Sequence, residues 1–245
     1  MEFTYNPSLV SLSIAVAILG SFTGLVMTAG IRRTSGGLRS LRITLGALGI
    51  GGGIWSMHFI AMLAVSLPID LSYDVPQTAL SALIAIVFTA AALWIVVSNK
   101  LGNATLPLSA LLLGSGIGGM HYLGMYAIRG NCGIHYSWLG VFISIVIAIQ
   151  ASGVALWFTF RERGVLDTLL GSVALGLAIA LMHYSGMEAT RFYAGSSSAY
   201  FPNLLLSERY LALAVAITIY SVCGVCLLVF SLLTFRDDRR HQRGY

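Results

Sequence analysis

The chain has 245 residues, 57% of them apolar and only 9% charged, with a mean hydropathy of +0.86. One soluble core cannot hide that much hydrocarbon, so the main solvent must be lipid, and length counts helices here rather than soluble domains. The net charge of +5 is mostly an asymmetry between connections, so nucleic acid is not implied.

Seven apolar stretches follow in chain order, each near the twenty residues that a bilayer requires: 8–30, 43–67, 77–98, 106–128, 138–160, 165–189 and 210–234. The expected fold is therefore an all-α integral membrane protein with seven transmembrane helices. Pro7, Pro68, Pro76, Pro107 and Pro202 fall at or near segment ends, where proline costs least. One set of connections carries Arg32, Arg33, Arg39, Arg42, Lys100, Arg161, Arg163, Arg236, Arg239, Arg240 and Arg243; the other carries Arg129, Arg191 and Arg209. Positive charge stays inside, which puts the N-terminus outside and the C-terminus in the cytoplasm. Without a basic region before it or a cleavage site after it, the first segment reads as a retained helix. Residues 1–235 form the membrane domain. Residues 236–245, polar and basic, read as a cytoplasmic tail or the start of a linker to an absent output domain.

On segments 2, 4 and 6 one pattern is written three times. It runs Gly51-x-x-Ile54-x-x-Met57-His58-Phe59-x-Ala61-Met62-x-Ala64 in the first copy. The second runs from Gly114 through Met120-His121-Tyr122-x-Gly124-Met125-x-Ala127, and the third from Gly176 through Met182-His183-Tyr184-x-Gly186-Met187-x-Ala189. A period of about two crossings means that every copy enters the membrane in the same direction. The chain thus reads as three two-helix repeats plus a final helix, with the histidines at one depth in the outer half. A rise of ~1.5 Å per residue from His58 to Pro68 puts that depth roughly 15 Å below the outer boundary.

A helical residue and its fourth successor share a face, so His58 lies with Met62, His121 with Met125 and His183 with Met187. Met57, Met120 and Met182 lie about 100° away on a flanking face. Imidazole suits copper, zinc, iron or nickel, and thioether favours Cu(I). No thiolate or carboxylate recurs, which speaks against zinc, magnesium and calcium. A lone histidine in an apolar helix is usually a satisfied core residue, and a lone methionine gap filler. Three copies in register at membrane depth, where ionisable groups are expensive, shift the reading toward a site.

The remaining candidates are weaker. Phe59, Tyr122 and Tyr184 read as aromatics near the outer interface. The glycines before each motif read as close helix packing. Glu188 is expected to reach the outer surface, and His135 to be a surface residue on an outer loop. Cys223 and Cys226 read as small packing residues, and Cys132 lies on the outer loop with no partner indicated.

Across essentially the whole chain, these three copies resemble the MHYT domain, a bacterial integral-membrane sensor module. The resemblance implies a non-enzymatic input unit in the bacterial inner membrane, joined to cytosolic cyclic-di-GMP domains of the GGDEF or EAL type. It also implies bound copper and the sensing of a diatomic gas such as O2, CO or NO. Carried over by position are Met57, His58, Met120, His121, Met182 and His183, with Met62, Met125 and Met187. The chain departs from the family name at Phe59 and at Ile60, Leu123 and Ser185, which stand where threonine would.

Retinal chemistry is excluded, because the only lysine, Lys100, falls on a predicted cytoplasmic connection. Two alternatives stay open. One is a copper-conducting transporter, although no carboxylate lies mid-segment and Gln150 is the only amide that does. The other is a b-type haem protein, since histidine and methionine are also haem ligands. The expected partners are the bilayer, a diatomic ligand, the cytosolic output and a second copy of the chain as a homodimer.

Overall fold

The computed structural model describes residues 3–98, 104–160, 165–195 and 205–242. The expectations resting on Lys100, Arg161, Arg163, Arg243 and Pro202 lie outside the described residues. So do those resting on the side chains of Arg33, Arg236, Arg239, Arg240 and His241.

Among the described residues, seven helices are long and apolar enough to cross a membrane. They are α1 (Pro7–Thr28), α2 (Gly36–Leu63), α3 (Val75–Ser98), α4 (Thr105–Tyr126), α5 (Trp138–Phe160), α6 (Val165–Glu188) and α7 (Glu208–Gln242). Two of them outrun the apolar pattern. α2 begins at Gly36 rather than 43, because Arg39 and Arg42 spend their charge on neighbouring chain ends rather than ending the helix. Arg42 donates to the carbonyls of Met27 and Ala29, and Arg39 to Ser98 Oγ. α7 continues helically to Gln242 through the stretch read as tail. A hydropathy pattern reports hydrocarbon thickness and not where a helix stops.

The expected ends at 67, 128 and 189 run slightly long, because the apolar residues there belong to short strands. β1 (Thr4–Tyr5) pairs with β2 (Val65–Ser66), β3 (Ser72–Asp74) with β4 (Ile128–Arg129), and β5 (Cys132–Tyr136) with β6 (Thr190–Ala194). All three pairs are antiparallel, and β7 (Leu205–Ser207) adds to β3.

These pairings repeat a single unit. In each, the residue that caps an odd-numbered helix donates its N–H to the carbonyl of the motif's last alanine. The bonds run from Asn6 to Ala64 at 2.8 Å, from Asp74 to Ala127 at 2.8 Å and from Ser137 to Ala189 at 2.9 Å. Asn6, Asp74 and Ser137 also accept N–H groups from the first turns of α1, α3 and α5, satisfying donors that a helix start leaves free.

The three units close into a ring. α1 packs on α2, α2 on α3 and so on to α6, which returns to α1; α2, α4 and α6 also meet in the middle. α7 lies outside this ring against α2 and α1. Glycines permit the closeness: the motif glycines Gly51, Gly114 and Gly176 lie on the backbones of Ile86, Ile149 and Ile18. A β-carbon at Gly114 would come within 2.6 Å of Ile149 Cα. Backbones this close are the usual adhesive in lipid, where apolar burial drives little. From Leu45 onward α2 is almost wholly buried, whereas α3, α5 and α7 turn residues such as Trp94, Phe142 and Ile217 outward.

Candidate metal centre

Where α2, α4 and α6 meet, the three motif histidines face one another. The Nδ1 atoms of His58 and His183 are 3.1 Å apart, those of His121 and His58 3.2 Å, and those of His183 and His121 3.2 Å. All three side chains are buried, and they are the three-residue cluster among the described residues suited to holding a metal ion.

Hydrogen bonding alone cannot satisfy this triangle. A ring nitrogen that donates an N–H has no lone pair left to accept. One proton could serve one corner, which would leave lone pairs facing each other at about 3 Å. Two or three N–H groups would confront each other instead. A cation at the centre engages all three lone pairs at once. The centre of the triangle is about 1.8 Å from each nitrogen, a few tenths of an ångström short of a zinc–imidazole bond of about 2.0–2.1 Å. The donor set and its spacing fit a first-row transition-metal ion.

All six motif methionines, Met57, Met62, Met120, Met125, Met182 and Met187, are buried in the same core. Of the nine sequence-predicted ligands, the structure brings the three imidazoles together and leaves the six methionines in the apolar core. His135 is exposed on β5 opposite Arg191, and Glu188 is exposed at the end of α6. Cys132, Cys223 and Cys226 are free thiols; Cys223 meets Thr23 Oγ1 at 3.5 Å, and Cys226 donates to the Leu45 carbonyl.

Around the triangle lies an aromatic layer whose organisation the motif alone did not disclose. Phe59, Tyr122 and Tyr184 each stand edge-to-face with their own histidine, at 4.7, 4.7 and 4.9 Å between ring centroids. Each is met in turn by a tyrosine from the strand layer. Tyr73 lies 5.7 Å from Phe59, Tyr136 5.6 Å from Tyr122, and Tyr5 5.6 Å from Tyr184. Burial pushes the phenols of Tyr5 and Tyr73 up and that of Tyr136 up to about 12.

Two hydroxyl pairs brace the arrangement. Tyr122 reaches Ser144 Oγ at 2.7 Å and Tyr184 reaches Ser13 Oγ at 3.0 Å. Each serine spends its own proton on a carbonyl, Val141 or Val10, so the tyrosine is the donor. A signal for this was present: Tyr5, Tyr73 and Tyr136 each precede Ser13, Ser81 and Ser144 by the same interval. Ser81 keeps its place and its bond to the Thr78 carbonyl, but Phe59 has no hydroxyl to offer it.

The repeat seen in the geometry is the one that defines a known group of proteins. A bacterial signalling protein N-terminal repeat, MHYT, matches residues 51–108, 114–172 and 176–243. The chain belongs to the MHYT family. MHYT relatives include the bifunctional diguanylate cyclase/cyclic di-GMP phosphodiesterase MucR of Pseudomonas aeruginosa, 42% identical over 97% of this chain and 35% of its own length. The cyclic di-GMP phosphodiesterase NbdA of the same organism is 38% identical over 76% of the chain and 24% of its own length. The signalling protein YkoW of Bacillus subtilis is 29% identical over 94% and 29%. The chain thus spans about a third or less of these relatives, and the shared part is the MHYT input module, which is not catalytic. No solved structure matches the chain.

The MHYT matches begin at the motif glycines and pair α2 with α3, α4 with α5, and α6 with α7. In space α1, not α7, stands against α6: Tyr5, Ser13 and Ile18 meet Tyr184 and Gly176 as the residues of α3 and α5 meet the other copies. The chain's first helix closes the ring, and its last packs outside it against α2 and α1.

Proposed function

We propose that this chain is a multi-pass membrane sensor of the bacterial inner membrane, with its N-terminus outside, that holds a transition-metal ion between α2, α4 and α6. The observation that carries the reading is the buried triangle of Nδ1 atoms, whose lone pairs no hydrogen-bond pattern satisfies. Copper is the favoured ion, because the motifs supply six thioethers buried in the apolar core and no carboxylate belongs to the histidine cluster. Bound there, copper would supply a coordination position for a diatomic ligand such as O2, CO or NO, or a redox change to be sensed.

The chain's own residues do the rest. His58, His121 and His183 hold the three helices to one centre, which is buried from water, with Phe59 packed against His58. A ligand that binds two helix arrangements with different affinity shifts their populations; equal affinity would shift nothing. α7, packed on α2, continues helically toward the C-terminus and a cytosolic output, cyclic-di-GMP turnover being the class that MucR and NbdA name. The basic Arg32, Arg39 and Arg42 at the end opposite the strand layer support the orientation.

A haem is disfavoured on geometry. Two axial imidazoles must stand on opposite faces of a macrocycle, whereas these three rings approach to within 3.1–3.2 Å. The test is metal analysis with a visible spectrum on purified protein beside the triple variant His58→Ala, His121→Ala, His183→Ala. Copper retained by the parent and lost by the variant is the expected result. Undiminished metal in a membrane-inserted variant overturns the assignment, and an intense haem band redirects it.

A further inference from the structure

Each imidazole has a second nitrogen, and its surroundings carry information that the triangle does not. Nε2 of His58, His121 and His183 is buried without a hydrogen-bond partner. For two of them the neighbour is a glycine of the following motif helix. A β-carbon at Gly124 of α4 would overlap His58 Nε2, and one at Gly186 of α6 would lie 2.6 Å from His121 Nε2. Both glycines stand three residues after the histidine of their own helix. The ring from α2 therefore lies on α4 at the level of His121, and the ring from α4 lies on α6 at the level of His183. On α2 the matching position is Ala61, so the glycine contacts number two and not three.

Close helix packing does not account for these two residues. Gly20 and Gly53, or Gly114 and Ile149, bring backbone against backbone. Gly124 and Gly186 bring backbone against the edge of an ionisable ring. An imidazole whose Nε2 edge is wedged on a helix backbone can offer only Nδ1 to the opposite side, since turning the ring would exchange both nitrogens for carbons.

We propose that Gly124 and Gly186 are positioning residues that seat the His58 and His121 rings, so that a cation at the centre is ligated through Nδ1. The inference rests on the metal reading above for its ligand, but the seating itself is a property of the metal-free chain. A methyl at either seat pushes the ring toward the centre, where its partners already stand at 3.1–3.2 Å. The triangle must then open or the helices part.

The experiment uses the full chain in lipid vesicles, with 15N-labelled histidine and Cu(I) as the probe. The variants are Gly124→Ala, Gly186→Ala and Gly119→Ala. Gly119 is the control: it lies on α4, and its added methyl would meet Ile84 at an ordinary 3.4 Å. In the loaded parent, the nitrogen resonances should show Nδ1 ligated and Nε2 protonated. Gly124→Ala and Gly186→Ala should weaken Cu(I) retention by about tenfold or more, the range seen when groups that orient metal-bound histidines are lost. Gly119→Ala should match the parent.

A metal-free cycle guards against variants that merely misfold. Gly124→Ala should lower thermal stability in the parent and be nearly harmless beside His58→Ala, where the ring that it strikes is gone. Ligation through Nε2, or equal costs in both backgrounds, overturns the proposal. If the parent takes up no Cu(I) while the cycle shows the coupling, the metal reading fails and the seating stands.

Discussion

Tyr184 of α6 donates a hydrogen bond to Ser13 of α1 across 3.0 Å, joining residues 171 apart in the chain and closing the helix ring. Tyr122 and Ser144 join α4 to α5 in the same way at 2.7 Å. The corner between α2 and α3 keeps the serine, Ser81, and lacks the phenol. The pseudo-threefold centre is thus braced at two corners of three, and the unbraced one belongs to α2, which also carries α7.

Tyr122→Phe and Tyr184→Phe should each lower stability by about 1 kcal/mol, the net worth of one hydrogen bond, since each also leaves its serine with a free lone pair. Phe59→Tyr is the informative converse. With Ser81 at the matching place, the new hydroxyl should find its acceptor and hold or raise the melting temperature. A fall would mean that the third corner has no room for the brace. Thermal unfolding in detergent, read by circular dichroism, checks all three.

The motif glycines predict a contrast within one residue type. Gly114→Ala drives a methyl into the Ile149 backbone, which cannot yield as a side-chain tip can, and should cost about 1–3 kcal/mol. Gly224→Ala, on the exposed side of α7 with nothing within 4 Å, should instead stabilise by up to about 1 kcal/mol by removing a helix-interior glycine. Equal effects would mean that helix propensity and not backbone contact governs these positions.

Seven helices were legible because a bilayer fixes how much hydrocarbon each crossing needs. The meeting of His58, His121 and His183 was legible because a repeat of two crossings returns the same face to the same depth. Ring orientation was not. Whether Nδ1 or Nε2 points inward depends on the contacts of Gly124 and Gly186 with rings from other helices, and no spacing within one motif encodes that. Tyr5, Ser13 and Ile18 are harder to read for a related reason. Tyr5 lies on β1 and Ser13 and Ile18 on α1, outside the motif copies, and they meet the third copy only once the ring closes on α6. Asp74 and Ser137 fall between the apolar segments, where no pattern in the sequence marks their N–H groups as the ties between the strand layer and Ala127 and Ala189.

Asp74 performs two tasks that substitution can separate. Its Oδ1 accepts the Gln77 N–H at the start of α3, and its Oδ2 lies 3.7 Å from Arg129, which also donates to Gln77 Oε1. The carboxylate is buried and the guanidinium partly exposed, so losing the charge leaves Arg129 some access to water. Asp74→Asn keeps a capping oxygen and should cost less than Asp74→Ala, the difference being about 1 kcal/mol for the cap. Added salt should narrow the gap between parent and Asp74→Asn while leaving that between Asn and Ala unchanged. Melting temperatures at two ionic strengths test this.

The strand-layer tyrosines set the behaviour at high pH. Burial, reinforced by the neighbouring phenol of Tyr122, raises Tyr136 from about 10 in an unfolded chain to about 12 in the fold. A group whose proton is held more tightly when folded contributes its full stability below the unfolded value. That contribution falls as pH rises past about 10, because the unfolded chain releases the proton first, and it reaches its floor above about 12. Tyr5 and Tyr73, also raised by burial, act in the same sense. Stability should therefore decline through this alkaline window, and phenolate absorbance of the folded protein should show these three tyrosines ionising above the ordinary phenol value of about 10. Tyr136→Phe should flatten the decline and remove one late-titrating phenol. A parent whose tyrosines all ionise together near 10 would mean that water reaches the layer above the histidines.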